Sequence, residues 1–383
     1  MSNSSVFILV ALGTVVALAG TDLVLPAIPS LPDSLGGTLQ QSQWVLAAFA
    51  AGTGIGLLIY GEAGARFGMG GLLVFSLLTY AATSVLATFA RDLVELTAIR
   101  FLQGLVAAGP AVFAPMMINA LYDANRAVAM LGRLGSIESI TPALAPILGA
   151  WLLYEFGWRS SFYLTGVVAG LLGFVWLASQ STRAQFGQAR RSTAGFTPLL
   201  KNGPFLRAAL SQAFTLGALL IVVFAAPTVV TASLGGELRD FVVMQVTGIL
   251  FFVLMANTSH KLVQRFGDQR TIFAGTATTA FGCICIALMG ASPDSPVELL
   301  WFFSVFVNIG LGIRGPAGFY RALHAAEDNE SRGSALVILA VMLTTALGTV
   351  MVAPFVDQGL MQVGMLASLV ALVAVWLSKP QRV

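Results

Sequence analysis

The sequence predicts an all-α membrane protein whose twelve transmembrane helices fall into two six-helix halves. Three observations carry this expectation: the apolar composition, twelve runs long enough to cross a bilayer, and a short motif repeated half a chain apart. Of the 383 residues, 57% are hydrophobic and 10% charged, against about 25% charged in an ordinary soluble domain. With a mean hydropathy of +0.86, the chain lacks the polar coat that keeps a domain of this size in water, which excludes a soluble enzyme. Its forty glycines are scattered through apolar runs without a triplet period, which suits closely packed membrane helices and not collagen or disorder.

A helix needs about 20 mainly apolar residues to cross the hydrocarbon. Such runs lie at 6–28, 44–61, 71–90, 93–121, 129–154, 160–179, 205–231, 241–259, 271–290, 297–320, 333–352 and 358–377, numbered here as spans one to twelve. A span with its connection takes about 32 residues, which leaves no room for a soluble domain. Ahead of the first run, Met1 to Ser5 lack the basic residues and cleavage pattern of a signal peptide, so that run is expected to be a retained span.

Orientation follows from the basic residues. With a cytoplasmic N-terminus, fifteen of the 20 Lys and Arg fall on the cytoplasmic side, and only Arg91, Arg159 and Arg239 on the other. Arg100 and Arg314 lie inside spans four and ten. This imbalance predicts both termini in the cytoplasm and a multi-pass protein of a cell membrane, such as a bacterial inner membrane. The net charge of +3 is dispersed along the chain and forms no basic stripe, which argues against a nucleic-acid partner.

Two halves are expected on either side of the longest polar connection. Residues 181–204 carry Arg183, Arg190, Arg191 and Lys201 and read as a cytoplasmic linker between an N-terminal bundle, 1–180, and a C-terminal bundle, 205–383. Ala-Arg-Phe-Gly at 65–68, after span two, recurs as Gln-Arg-Phe-Gly at 264–267, after span eight, an offset of 199 residues. Two six-helix halves are the plan of a large transporter class whose substrate site lies near mid-membrane.

Four stretches make the reading more specific. They are Thr21-Asp22-Leu23-Val24-Leu25-Pro26-Ala27-Ile28-Pro29, Arg100-Phe101-Leu102-Gln103-Gly104, Pro142-Ala143-Leu144-Ala145-Pro146-Ile147-Leu148-Gly149, and Gly157-Trp158-Arg159 with Phe162. In this order they resemble the major facilitator superfamily, and within it the twelve-span drug:proton antiporters of the bicyclomycin-resistance type. The resemblance makes Pro142, Pro146 and Gly149 the antiporter segment of span five, expected to bend or thin that helix. It also implies a gating loop after span two, with Gly61, Arg66 and Gly68, and Arg265 at the equivalent place in the second half. That loop departs from the family pattern: Ala65 stands in place of an Asp, and Met69 and Gly70 replace a basic pair. A weaker latch is expected, with Glu62 either a substitute carboxylate or a helix-end charge reaching water.

Charges inside the membrane carry the chemistry. Each costs at least about 2.5–3.5 kcal/mol at mid-bilayer, so it requires a partner, a wet cavity or a role. At 1.5 Å per residue, Asp22 lies roughly 24 Å from the cytoplasmic start of span one and Arg100 roughly 10 Å below the outer end of span four. In a core about 30 Å thick these depths nearly coincide. Low dielectric favours the protonated acid and a nearby guanidinium the carboxylate, so a change in their separation loads or releases a proton. The resemblance also allows this pairing. Arg100 is expected to be a structural or substrate-orienting partner; the alternatives are that Asp22 only caps the end of span one before Pro26 and Pro29, and that Arg100 reaches outward.

Glu138, in span five, is a candidate second proton site or a partner for a cationic substrate, against a partly hydrated carboxylate paired with Arg133 or Arg314. Arg314 is a candidate charge partner or substrate-orienting residue, against a cation reaching toward the cytoplasm. Gln103, Gln212, Gln245 and Asn308 are candidate cavity-lining residues. His260 and His324 fall at cytoplasmic span ends and read as solvated. Cys283 and Cys285, two apart on one helix, point in different directions and read as packing residues.

No Gly-rich phosphate loop ending in Lys-Ser/Thr, no His-Glu-x-x-His and no Gly-x-Ser-x-Gly occurs, so no ATP hydrolysis, metal or cofactor is expected. The expected function is proton-coupled antiport that exports a small amphipathic molecule, a drug, siderophore or metabolite, by alternating access. The rivals are a proton-symport importer or facilitator of the same fold and a membrane receptor that does not transport. Protons, a small-molecule substrate and the lipid bilayer are the expected partners, and the chain is expected to act as a monomer.

Overall fold

The computed structural model describes residues 2–186, 196–292, 295–326 and 330–380; Arg190 and Arg191 of the connecting segment lie outside them. Twelve helices are long and apolar enough to cross a membrane, and no strand occurs among the described residues. The first six spans are Asn3–Asp22, Leu39–Phe67, Met69–Ala87, Leu93–Leu121, Ala124–Phe156 and Arg159–Ala178. The last six are Gly203–Ala232, Leu238–Phe266, Asp268–Gly290, Glu298–His324, Glu330–Val352 and Leu360–Ser378.

Local chemistry fixes several boundaries. Asp92, Asp123 and Asn202 cap spans four, five and seven by accepting from the backbone N–H groups of Glu95, Arg126 and Phe205 at 2.8, 3.0 and 2.9 Å, satisfying donors that the helix start leaves free. Spans two and eight run past their apolar stretches into charged last turns, because a helix ends where its backbone is interrupted and not where hydrocarbon stops. The interruption is the glycine of the repeated motif. Gly68 has φ 80 and ψ 158, and Gly267 has φ 81 and ψ 161. Both conformations are open essentially to glycine alone. The two halves therefore make the same turn with the same residue.

The chain divides into two compact units: residues 1–37 with 48–193, and residues 38–47 with 194–383. In the first, span three packs on spans four and six, and span one packs on spans four, five and six. The second repeats the scheme six helices later: span nine packs on ten and twelve, and span seven on ten, eleven and twelve.

Close approach in each unit relies on glycine. In span four, a Cβ on Gly104 would lie 2.1 Å from the Phe49 carbonyl oxygen of span two. In span ten, one on Gly312 would lie 2.5 Å from the Phe252 carbonyl oxygen of span eight. Without a strong hydrophobic drive between helices in lipid, such backbone contact is what holds spans together.

Candidate functional site

Span one stops being an α-helix at the acid. Asp22 is its last residue, and the chain continues as a 3₁₀ turn, Leu25–Ser30, and a short helix, Leu31–Leu35. The cause is in the sequence: Pro26 and Pro29 carry no N–H, so the carbonyls of Asp22 and Leu25 lose the donors an α-helix would supply. Ala27 bonds instead to the Val24 carbonyl at 2.9 Å. Leu23 is then tied down from two sides. Its carbonyl accepts from the Ser161 hydroxyl of span six at 3.0 Å. Gly149 of the antiporter segment packs so closely that a Cβ there would lie 2.4 Å from the same oxygen. Span five remains one helix through Pro142 and Pro146.

Asp22 is half-buried and, among the described residues, its carboxylate has no hydrogen bond and no ion pair. The expected pairing with Arg100 is not formed. Arg100 is fully buried, and its Nη1 donates to the Gly20 carbonyl at 2.9 Å and to Gln103 Oε1 at 2.8 Å. Its guanidinium lies 4.1 Å from the centre of the Phe49 ring and 5.8 Å from that of Phe162. Backbone oxygen and aromatic faces offset part of the cost of the buried cation, whose Nε and Nη2 have no hydrogen-bond partner among the described residues. Matched depths placed Arg100 at the right level, but they could not say that a carbonyl two residues before the acid would take its proton donor.

Gln103, expected to line a cavity, is fully buried and works as a bridge. Its Nε2 donates to the Ser84 hydroxyl at 2.7 Å, and Ser84 donates to the Tyr80 carbonyl at 2.7 Å. The Tyr80 hydroxyl fills the space that Gly20 leaves open, since a Cβ on Gly20 would lie 1.9 Å from it. Tyr80, Ser84, Phe49 and Ser161 escaped the sequence reading. The available signal was a Tyr and a Ser one turn apart inside apolar span three, where buried hydroxyls require partners.

Glu138, on span five, is half-buried and faces the Thr14 hydroxyl of span one, two turns below Asp22. No ion pair reaches Glu138 among the described residues. Span one therefore meets two carboxylates, one at its broken end and one across from its middle.

The gating-loop residues are helical, apart from the turn glycine. Gly61 and Arg66 lie in span two, and exposed Arg66 pairs with Glu62 of the same helix at 2.8 Å. Glu62 is thus engaged one turn away on its own helix. Arg265 lies in the last turn of span eight, 5.3 Å from the centre of the Phe266 ring.

In the second unit, Arg314 is buried, and its Nη1 donates to the Ser211 carbonyl at 2.6 Å and to the Thr215 hydroxyl of span seven. Gln212 lies beside it: a Cβ on Gly318 would touch both Gln212 Oε1 and Arg314 Nη2. Asn308 donates to the Ser304 carbonyl at 2.9 Å and packs against Gly248, three residues after buried Gln245. Cys283 and Cys285 are free thiols.

Residues 10–349 match the profile of the Major Facilitator Superfamily. Curated relatives include a bicyclomycin resistance protein homolog of Haemophilus influenzae, 24% identical over 65% of this chain and 64% of that protein. Another is the multidrug resistance protein MdtL of a Shewanella strain, 24% identical over 77% of this chain and 73% of its own length. A chloramphenicol resistance protein of Pseudomonas aeruginosa is 23% identical over 78% of this chain and 71% of that protein. Among solved structures, a peptide transporter, POT, aligns with a TM-score of 0.78 at 12% identity, covering 97% of this chain and 93% of that one. A D-xylose-proton symporter aligns with a TM-score of 0.74 at 17% identity, covering 99% and 98%. Twelve apolar spans, the same packing scheme in each half and a family match over most of the sequence lead to one conclusion: the chain belongs to the Major Facilitator Superfamily and is a multi-pass membrane transporter, not an enzyme.

Proposed function

We propose that the protein is a proton-coupled antiporter that exports a small amphipathic molecule by alternating access, with Asp22 as the proton carrier. The observation that carries this reading is the unpartnered, half-buried carboxylate of Asp22 at the point where span one loses its α-helical hydrogen bonds. A charge left without a partner at membrane depth is costly, and a proton relieves it. The irregular backbone beyond it, held by Ser161 and Gly149, lets the acid's surroundings alter without unwinding a whole helix. The resistance functions named for the curated relatives favour export of amphipathic compounds.

Arg100 is the positioning group in this scheme: it is fastened to the backbone of the acid's own helix at Gly20, and release of that bond changes the distance between cation and carboxylate. Glu138, facing Thr14 on the same span, is the candidate for a second proton site. The distribution of Lys and Arg supports a cytoplasmic position for both termini, and in this scheme the two bundles joined through residues 181–204 supply the two access states.

Reconstituted vesicles with an imposed pH gradient test this reading. Export predicts that a lipophilic cationic dye accumulates on the acidic side and that accumulation ends when the gradient is collapsed. Accumulation on the alkaline side would assign import by symport, and accumulation indifferent to the gradient would remove proton coupling.

A further inference from the structure

The second unit contains a cavity of about 620 Å³ that the proton chemistry does not use, a volume in the range of sites for drug-sized molecules. Among the described residues, four cations, Arg207, Arg314, Arg321 and Lys379, line it against one carboxylate, Asp268. That carboxylate is already engaged, 2.8 Å from Arg321.

Arg314 is the decisive member. It is 1% exposed, lines the cavity, forms no ion pair among the described residues, and its Nε has no hydrogen-bond partner. A buried guanidinium held only by a carbonyl and a hydroxyl lacks the counter-charge that burial demands.

The backbone adds to this field. The first turns of spans seven and nine reach the cavity at Gly203 and at Asp268 and Gln269, presenting the positive ends of two long helices. Spans ten and twelve end there too, with the opposite polarity, and three of the carbonyls there are occupied by side chains. Arg207 donates to the Leu377 and Lys379 carbonyls at 2.6 and 2.7 Å, and Asn202 donates to the Ala325 carbonyl at 2.9 Å. Among the described residues, the buried charge left without a counter-ion in the cavity is Arg314.

We infer that this cavity is an oxyanion site, taking the phosphate or carboxylate group of an amphipathic ligand through Arg314, with Lys379 at its rim. The group comes either from a phospholipid head or from a soluble anion, and the site stands whether or not Asp22 carries the proton.

The test is thermal unfolding of the full-length protein purified in a neutral detergent. One arm titrates sodium phosphate against sodium chloride at equal ionic strength. The other titrates dioctanoylphosphatidylglycerol against dioctanoylphosphatidylcholine. A saturable rise in Tm with phosphate identifies a soluble anion, and one with phosphatidylglycerol alone identifies a lipid head. Arg314→Gln should weaken the responding titration by at least about tenfold, as loss of a buried charge partner does, and Arg314→Lys by less.

Phosphate also stabilises proteins by exclusion from their surface, and every variant keeps that response. Should Arg314→Gln fail to fold, Lys379→Gln, at an exposed position, reads the same site through a weaker titration. The inference is overturned if neither probe shifts Tm beyond its control, or if the variants that fold titrate as the wild type does.

Discussion

Arg100 donates a 2.9 Å hydrogen bond to the carbonyl of Gly20, two residues before Asp22, and is thereby fastened to the backbone of the helix that ends at the acid. The same Nη1 holds Gln103, which carries the connection on to Ser84 in span three. Span one is in this way tied to spans three and four, while the carboxylate of Asp22 has no hydrogen bond or ion pair among the described residues.

Gln103→Leu should therefore destabilise the protein by about 1.5–3 kcal/mol, the worth of a hydrogen bond to a charged group. Thermal unfolding in detergent measures the loss. Gln103→Glu keeps an acceptor for Arg100 and should recover most of it, whereas equal losses in both variants would mean that the amide fills space and does not hold the cation.

Gly104→Ala should cost about 1–3 kcal/mol by overpacking, because the new methyl meets the Phe49 carbonyl and pushes away the ring that covers Arg100. Gly61→Ala is the control. Nothing lies within 4 Å of a Cβ there, so replacing a glycine in that helix should be neutral or stabilising by up to about 1 kcal/mol.

Gly68→Ala and Gly267→Ala test the equivalence of the two halves. Both residues sit near φ 80, with ψ 158 and 161, a backbone region that costs a non-glycine residue about 1–3 kcal/mol. Each single substitution should lower Tm by a similar amount and the double variant by roughly the sum. A large inequality would show that the two turns are not the same device.

Arg66→Ala removes an exposed pair between residues one turn apart, worth about 0.3–0.5 kcal/mol, and should leave Tm nearly unchanged. A transport rate that falls while Tm holds would assign Arg66 a part in gating; unchanged transport would leave it a helix-end charge.

Asp22, Arg100, Glu138 and Arg314 were legible because a charge inside an apolar run is expensive wherever it lies, and Pro26 and Pro29 announced the break in span one. Their partners were not legible. A guanidinium can donate to carbonyls and hydroxyls and lie on aromatic faces as well as pair with carboxylates, so residue type alone could not choose Gly20 and Gln103 over Asp22 for Arg100, or Ser211 and Thr215 for Arg314. Hydropathy counted the spans correctly but ended span two at Gly61 and span eight at Ser259, because it registers hydrocarbon and not the helical hydrogen bonds that continue to Phe67 and Phe266. The repeated Arg-Phe-Gly showed where the halves correspond, and the positive φ of its glycine gave the reason.

The most direct measurement compares wild type and Asp22→Asn in vesicles, reading gradient-driven accumulation of the dye and its exchange at equal pH on both sides. An amide keeps the shape of the side chain and cannot release a proton, so gradient-driven accumulation should fall by tenfold or more, on the order of 1.4 kcal/mol or greater in driving free energy, while exchange persists. Accumulation in Asp22→Asn with the pH dependence of the wild type would contradict the account and move the proton to Glu138.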